Sequence, residues 1–221
     1  MGKIYKLILD WIRSVNIITE IIWKIKIKKK LFSITYDLTT LALKKCLDKY
    51  KKKNIFFENY LDMGCGQIAI LGQYQKKISQ NSNVTSVDIY QDFIKNSKKN
   101  ASANNLKIKF IEKRMFNNVK KKYDLITYNP PYVPIRFKKE YDKYEKCSFA
   151  GEKGDEEINN FLKKAKKYLS NNGTIFIGVN LFYISFKDLK KIVKSYEYKI
   201  IERVNLKPFQ NIVLILKKIK S

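Results

Sequence analysis

The fold turns on Tyr60-Leu-Asp-Met-Gly-Cys-Gly-Gln-Ile-Ala-Ile70. The apolar run from Phe56 to Met63 reads as a strand, Asp62, Gly64 and Gly66 make a tight turn, and Ile68 to Ser79 has helical spacing. Glycine tolerates positive φ and lets backbone come close to a ligand. The pattern is G-x-G and the next glycine is Gly72, so the longer G-x-G-x-x-G of dinucleotide binders is not formed, and G-x-G alone is a weak signal. A second carboxylate strengthens it. Val84-Thr-Ser-Val-Asp88 is a short β-branched strand ending in an acid. Asp88 falls about 20 residues past the glycines, where an acid meets ribose hydroxyls in nucleotide-binding βαβ units. The plainer alternative is a turn or helix-capping acid.

Downstream, Tyr123-Asp-Leu-Ile-Thr-Tyr128 reads as another buried strand and runs into Asn129-Pro130-Pro131-Tyr132. Each proline fixes its φ and lacks an N–H, so the strand ends in a rigid lip of carbonyl acceptors. With the Asn129 amide oxygen, these acceptors can hold a planar –NH2 group by both hydrogens. The alternative is an ordinary proline-rich loop.

Around these landmarks strands and helices alternate. Helices are expected at Asp37 to Tyr50, Gln91 to Asn104, Glu156 to Leu169 and Phe186 to Ser195, with a turn at Asn171-Asn-Gly173. Further strands are expected at Ile108 to Glu112, Thr174 to Val179, Tyr198 to Val204 and Ile212 to Lys218. Alternation of this kind predicts an α/β fold, a doubly wound, mostly parallel seven-stranded sheet closed by an antiparallel hairpin. Residues 1–36 form an N-terminal extension, and 37–221 the main domain. Within the extension, residues 3 to 13 have helical spacing. Trp23-Lys-Ile-Lys-Ile-Lys28 alternates with period two and predicts a strand, in a hairpin with Leu31 to Thr35.

The 221 residues carry 46 basic and 20 acidic side chains, a formal charge of +26. Two readings stand: a polyanionic partner such as RNA or the ribosome, or compositional drift toward Lys. Arginine, the residue suited to bidentate readout, occurs only at Arg13, Arg114, Arg136 and Arg203, which leans toward drift. With no histidine, His-based triads and ordinary His-containing zinc sites are excluded, and no metal is expected. Cys46, Cys65 and Cys147 form no C-x-x-C pair; Cys65 reads as a packing residue rather than a nucleophile. No apolar run reaches the about 18 residues of a membrane span, and a cytoplasmic setting is expected.

Asp62-x-Gly64-x-Gly66, the acid Asp88 and Asn129-Pro-Pro-Tyr132 together resemble the class I, Rossmann-like S-adenosylmethionine-dependent methyltransferases. The N-P-P-Y form is shared by enzymes that methylate planar amino groups: the glutamine methyltransferases of release factors and ribosomal proteins, and the exocyclic-amino methyltransferases of adenine and guanine. Asn129 to Pro134 and Phe149-Ala-Gly-Glu-Lys-Gly154 are similar to the release-factor glutamine enzymes. The proline-rich entry and release-factor-binding helical domain of that family have no counterpart in residues 1–36.

The resemblance implies S-adenosylmethionine as cofactor, bound by Asp62, Met63, Gly64, Gly66, Asp88, Ile89, Met115, Phe116 and Asn129. Backbone N–H groups after Gly64 would meet the methionine carboxylate, Asp88 the ribose, and Met115 and Phe116 the adenine. Arg114 stands where relatives often have an acid for the adenine amino group, leaving that work to backbone carbonyls or Glu112. Asn129, Pro130, Pro131 and Tyr132 are the implied catalytic residues. The expected reaction is methyl transfer to a planar amino nitrogen, foremost a glutamine amide in a translation factor or ribosomal protein. The alternatives are a base amino group in RNA or DNA, and a non-catalytic binding module of the same fold.

Overall fold

The structure, a computed structural model, describes residues 11–28, 36–137 and 145–219. Its helices are α1 (Asn16–Trp23), α2 (Leu38–Lys52), α3 (Ile70–Ile78), α4 (Gln91–Ala103), α5 (Glu156–Ala165) and α6 (Phe186–Ser195). Its strands are β1 (Asn59–Met63), β2 (Asn83–Asp88), β3 (Lys109–Glu112), β4 (Tyr123–Tyr128), β5 (Leu169–Asn180), β6 (Tyr198–Asn205) and β7 (Asn211–Lys218). They form a seven-stranded sheet in the order β3-β2-β1-β4-β5-β7-β6. The first five are parallel, and β7 runs antiparallel to both β5 and β6. The order reverses between β1 and β4, which opens a crevice at their carboxyl ends, the usual ligand position in such sheets.

Both faces of the sheet are covered, so its central strands are mostly apolar. Alternate side chains go to opposite faces. Leu61, Ile126, Ile175 and Leu214 join Phe161 and Leu189 in one core. Tyr60, Leu125, Phe176 and Val213 join Leu43 and Leu71 in the other. A Cβ on Gly178 would lie 2.4 Å from Thr39 Cγ2, so the glycine lets the first turn of α2 settle directly on β5. This contact brings Asp37, the N-cap of α2, to the mouth of the crevice.

The expected strand at Trp23 to Lys28 is corrected. Trp23 ends α1, Lys24 takes φ 56°, and among the described residues the chain from Ile25 to Lys28 pairs with no strand. The period-two pattern is still used, with Ile25 and Ile27 buried and Lys24, Lys26 and Lys28 exposed. The ladder is made by side chains: Asn104 Oδ1 accepts from Lys26 N–H at 2.6 Å while its Nδ2 donates to Lys26 O at 2.8 Å. Asn100 does the same for Lys28, at 2.7 and 3.0 Å. Two amides one turn apart, on the last turn of α4 and at its C-cap, thus stand in for a neighbouring strand. The other half of the expected hairpin, and most of the expected helix at 3 to 13, lie outside the described residues. The expected turn at Asn171 to Gly173 lies instead inside β5, where the register slips: Tyr123 faces Leu169, but Leu125 faces Thr174. The expected helix to Leu169 stops at Ala165, followed by a 3-10 turn, Lys166–Tyr168. Among the described residues no helix is long and apolar enough to cross a membrane.

Candidate active site

Strand β1 delivers the chain into a turn with φ +62° at Gly64 and +69° at Gly66. A Cβ on Gly64 would come within 3.2 Å of the Tyr128 ring, so the residue is glycine both for its φ and for its neighbour. The turn is tied to the end of β2: Cys65 N–H donates to Val87 O at 3.0 Å, and Gly66 N–H to Asp88 Oδ2 at 2.8 Å. Tyr90 N–H donates to Asp88 Oδ1 at 3.1 Å. Burial raises the Asp88 carboxyl above the usual range, opposed by these backbone donors. Burial also raises the Cys65 thiol well above its ordinary value, which keeps it protonated and unreactive at neutral pH.

Asp62 sits beneath this turn, 1% exposed. Its Oδ2 accepts from Gly72 N–H at 3.0 Å and its Oδ1 from Thr127 Oγ1 at 3.3 Å. Both oxygens thus hold β1, α3 and β4 together. Burial pushes its carboxyl up to about 7, opposed by those two hydrogen bonds.

Above the turn lies a cavity of about 350 Å³ whose walls include Met63, Gly64, Gly66, Asp88, Ile89, Met115 and Asn129. Phe116 is not among them. It is 3% exposed and stacks on Tyr168 with centroids 4.4 Å apart, inside the core. Asp62 lies outside this cavity but lines a smaller one of about 130 Å³ that runs under Gly64 and Gly66 to Asn129. Arg114 reaches the main cavity together with Glu157, to which its guanidinium donates at 2.8 Å. A carboxylate, that of Glu157 in the first turn of α5, thus stands beside Arg114 at the cavity wall, whereas Glu112 does not line it.

A second cavity of about 470 Å³ adjoins the first and is lined by Pro130, Tyr132, Asp37, Tyr183 and Asn211. Asn129, Pro131 and Cys147 line both cavities and form the partition. Asn129 is held from behind. Its Nδ2 donates to Asp37 Oδ1 at 3.0 Å, Asp37 Oδ2 at 3.1 Å and Thr40 Oγ1 at 3.1 Å. A carboxylate only accepts, so the amide nitrogen must face Asp37 and the oxygen must face away. That oxygen, Asn129 Oδ1, is buried and has no partner.

The anchor extends to β7. Asn211 Nδ2 donates to Thr39 Oγ1 at 2.6 Å, and Thr39 Oγ1 lies 2.8 Å from Tyr132 Oη. Tyr132 Oη in turn donates to Asp37 Oδ2 at 3.2 Å. Burial, the Asp37 charge and this donated hydrogen bond hold the Tyr132 phenol well above its ordinary value, so it remains a donor.

The donor set suits S-adenosylmethionine. Asp88 retains lone pairs beyond those given to Gly66 and Tyr90, which is what a vicinal diol needs. A Cβ on Gly66 would point into open space, so a ligand can come close to the turn there. Glu157 can accept from an exocyclic amino group. When bound, the cofactor supplies an electrophilic methyl group carried on a sulfonium.

Sequence reasoning missed Asp37, Thr40 and Glu157. Asp37-Leu-Thr-Thr40 carries a helix-start signal, and Asp37 does cap α2 by accepting from Thr40 N–H at 2.7 Å. Nothing in a single sequence links it to Asn129, 92 residues away.

A family model for the methyltransferase small domain matches residues 23–146. A protein of Methanocaldococcus jannaschii, provisionally named a protein N5-glutamine methyltransferase, is 30% identical over 194 residues, covering 87% of this chain and 93% of its own length. The release factor glutamine methyltransferase of Francisella tularensis subsp. tularensis is 35% identical over 124 residues, 53% of this chain and 43% of that enzyme. The chain spans about half the length of the release-factor enzymes it matches. A methyltransferase from Pyrococcus furiosus superimposes with a TM-score of 0.65 at 16% identity, over 99% of this chain and 100% of that one, a likeness of fold. The chain belongs to the methyltransferase small domain family, as a class I S-adenosylmethionine-dependent N-methyltransferase that resembles the glutamine methyltransferases.

Proposed function

We propose that this enzyme methylates the side-chain amide nitrogen of a glutamine in a protein of the translation apparatus, in the cytoplasm, with Asn129, Pro130, Pro131 and Tyr132 forming the acceptor site. The observation that carries the reading is Asn129 Oδ1, a buried acceptor with no partner, held outward by Asp37. Leaving a buried acceptor unpaired costs about 1–3 kcal/mol, and a substrate N–H removes that cost. Together Asn129 Oδ1 and the Pro130 carbonyl take both hydrogens of a planar –NH2.

An amide nitrogen has its lone pair delocalised and is a poor nucleophile. Fixing both hydrogens orients the nitrogen and favours the loss of conjugation that transfer requires, which is catalysis by positioning and electrostatics. No strong base is needed, in keeping with a chain that has no histidine. Tyr132 bears on the choice of acceptor. A flipped nucleobase calls for an aromatic face to stack on. Tyr132 is only 8% exposed, its ring lies 6.0 Å from that of Tyr183, and its hydroxyl is committed to Asp37. It serves better as the apolar wall of a narrow side-chain slot.

The test is to incubate the enzyme with labelled S-adenosylmethionine and a lysate from a methylation-deficient strain, then digest with protease or nuclease. Protease should release the label, and peptide mapping should place one methyl group on a glutamine. Release by nuclease alone would transfer the assignment to a base amino group.

A further inference from the structure

A groove of about 770 Å³ lies at the opposite end of the sheet from the methyl-transfer site. It is framed by the amino-terminal ends of β2, β3 and β4, through Asn83, Lys109 and Tyr123. At about 3.3 Å of rise per residue, the six residues of β2 put it on the order of 20 Å from Asp88. Six lysines line it and no carboxylate does: Lys98, Lys107, Lys109, Lys120 and Lys121 are exposed, and half-buried Lys76 donates to Gln80 O and Ser82 O. Lys107 and Lys109 alternate with Ile108 and Phe110, so the chain entering β3 aims both to one side.

Four lysines elsewhere in the molecule are neutralised locally. Lys44, Lys49, Lys166 and Lys191 each pair with an acid. Among the described residues, none of the five exposed groove lysines has an ion-pair partner. Uncompensated like charges repel and weaken the compact state, and they lose that penalty when an anion sits among them. The concave shape suits a strand that threads between the lysines rather than a flat lipid surface.

We propose that this groove binds the phosphate backbone of an RNA strand, docking the enzyme on an RNA-bearing particle while the acceptor site, at the other end of the sheet, remains free. The inference does not depend on the acceptor being a glutamine.

The test is fluorescence anisotropy with a uniform polyuridine oligonucleotide over a range of salt concentrations, using the intact chain. If all five exposed lysines neutralise phosphates, at about −0.7 each, the log–log salt slope is about −3.5. Replacing Lys107, Lys109 and Lys121 by alanine should lower the slope by about 2 and weaken binding on the order of a hundredfold at 0.1 M salt. S-adenosylmethionine affinity should stay unchanged and Tm should not fall, which excludes misfolding. A distal triple variant, Lys163→Ala with Lys164→Ala and Lys167→Ala, removes the same charge from exposed positions around α5 and should leave the slope as it is. Equal losses in both variants would mean that only net charge acts and would overturn the proposal. So would an unchanged slope in the groove variant, or groove-dependent binding to phosphatidylserine vesicles without binding to the oligonucleotide.

Discussion

Replacing Asp37 by asparagine separates the orientation of Asn129 from the stability of α2. Asparagine caps a helix about as well as aspartate, so the cap on Thr40 N–H survives. What is lost is the charge. The wild-type carboxylate accepts from Asn129 Nδ2 with both oxygens and can present nothing but acceptors to it. A carboxamide can turn either end toward Asn129, so the amide of Asn129 can reverse and offer N–H groups where the acceptor nitrogen must bind. A hydrogen bond to a charged group is worth about 1.5–3 kcal/mol and a neutral one about 0.5–1.5. The midpoints of these ranges differ by about 1.25 kcal/mol, which corresponds to about eightfold in rate. Asp37→Ala removes the whole interaction and should slow transfer by about tenfold to a hundredfold or more. It also costs about 1 kcal/mol of capping, or about 2–4 °C in Tm for a domain of this size. The assay is single-turnover methyl transfer at saturating cofactor and acceptor, with Tm and S-adenosylmethionine affinity measured on the same samples. Asp37→Asn should lose rate at nearly constant Tm and cofactor affinity. A wild-type rate in Asp37→Asn would refute the idea that the carboxylate sets the Asn129 amide.

Three further outcomes are expected. Asp88→Ala should weaken S-adenosylmethionine binding by about 1.5–3 kcal/mol in calorimetry, and unchanged affinity would remove Asp88 from the ribose. Burial raises the Asp62 carboxyl from 3.8 to about 7, so between those values the folded state holds a proton that the unfolded state has released. Stability relative to Asp62→Asn should therefore fall as pH rises from about 4 to about 7 and then level off; a pH-independent difference in denaturant titrations would contradict this. Gly178→Ala puts a methyl 2.4 Å from Thr39 Cγ2 and should cost about 1–3 kcal/mol, measured by denaturant midpoint, while slowing transfer by displacing the first turn of α2.

The parts of the fold legible in the sequence are those whose cause is local. Strand β4 is found at its expected limits, Tyr123–Tyr128, because a strand covered on both faces is mostly apolar and the prolines end it. The glycine turn declares itself because its φ values exclude most other residues. Trp23 to Lys28 has the alternation of a strand and was misread because a pattern cannot say what satisfies the backbone; here two asparagines at the end of α4 do so. The excursion at Asn171 to Gly173 has turn composition, yet β5 carries it as an irregularity. In the site, the acceptor lip and the β2 acid could be read from motifs. Asp37 and Glu157 could not, since each meets its partner only after folding, and Phe116 follows its neighbours Phe161 and Tyr168 into the core.

The most direct test of the central claim is the pair of constants for Asn129→Ala: the single-turnover methyl-transfer rate and the S-adenosylmethionine dissociation constant. Asn129 Oδ1 is proposed to hold the acceptor nitrogen most strongly as it pyramidalises, and an interaction of that kind appears in the rate rather than in ground-state binding. The account predicts a rate lower by on the order of a hundredfold or more. It predicts cofactor affinity within about threefold of wild type, a few tenths of a kcal/mol. A variant that transfers methyl groups at the wild-type rate would show that the Asn129 to Tyr132 lip only shapes the crevice and does not hold the acceptor.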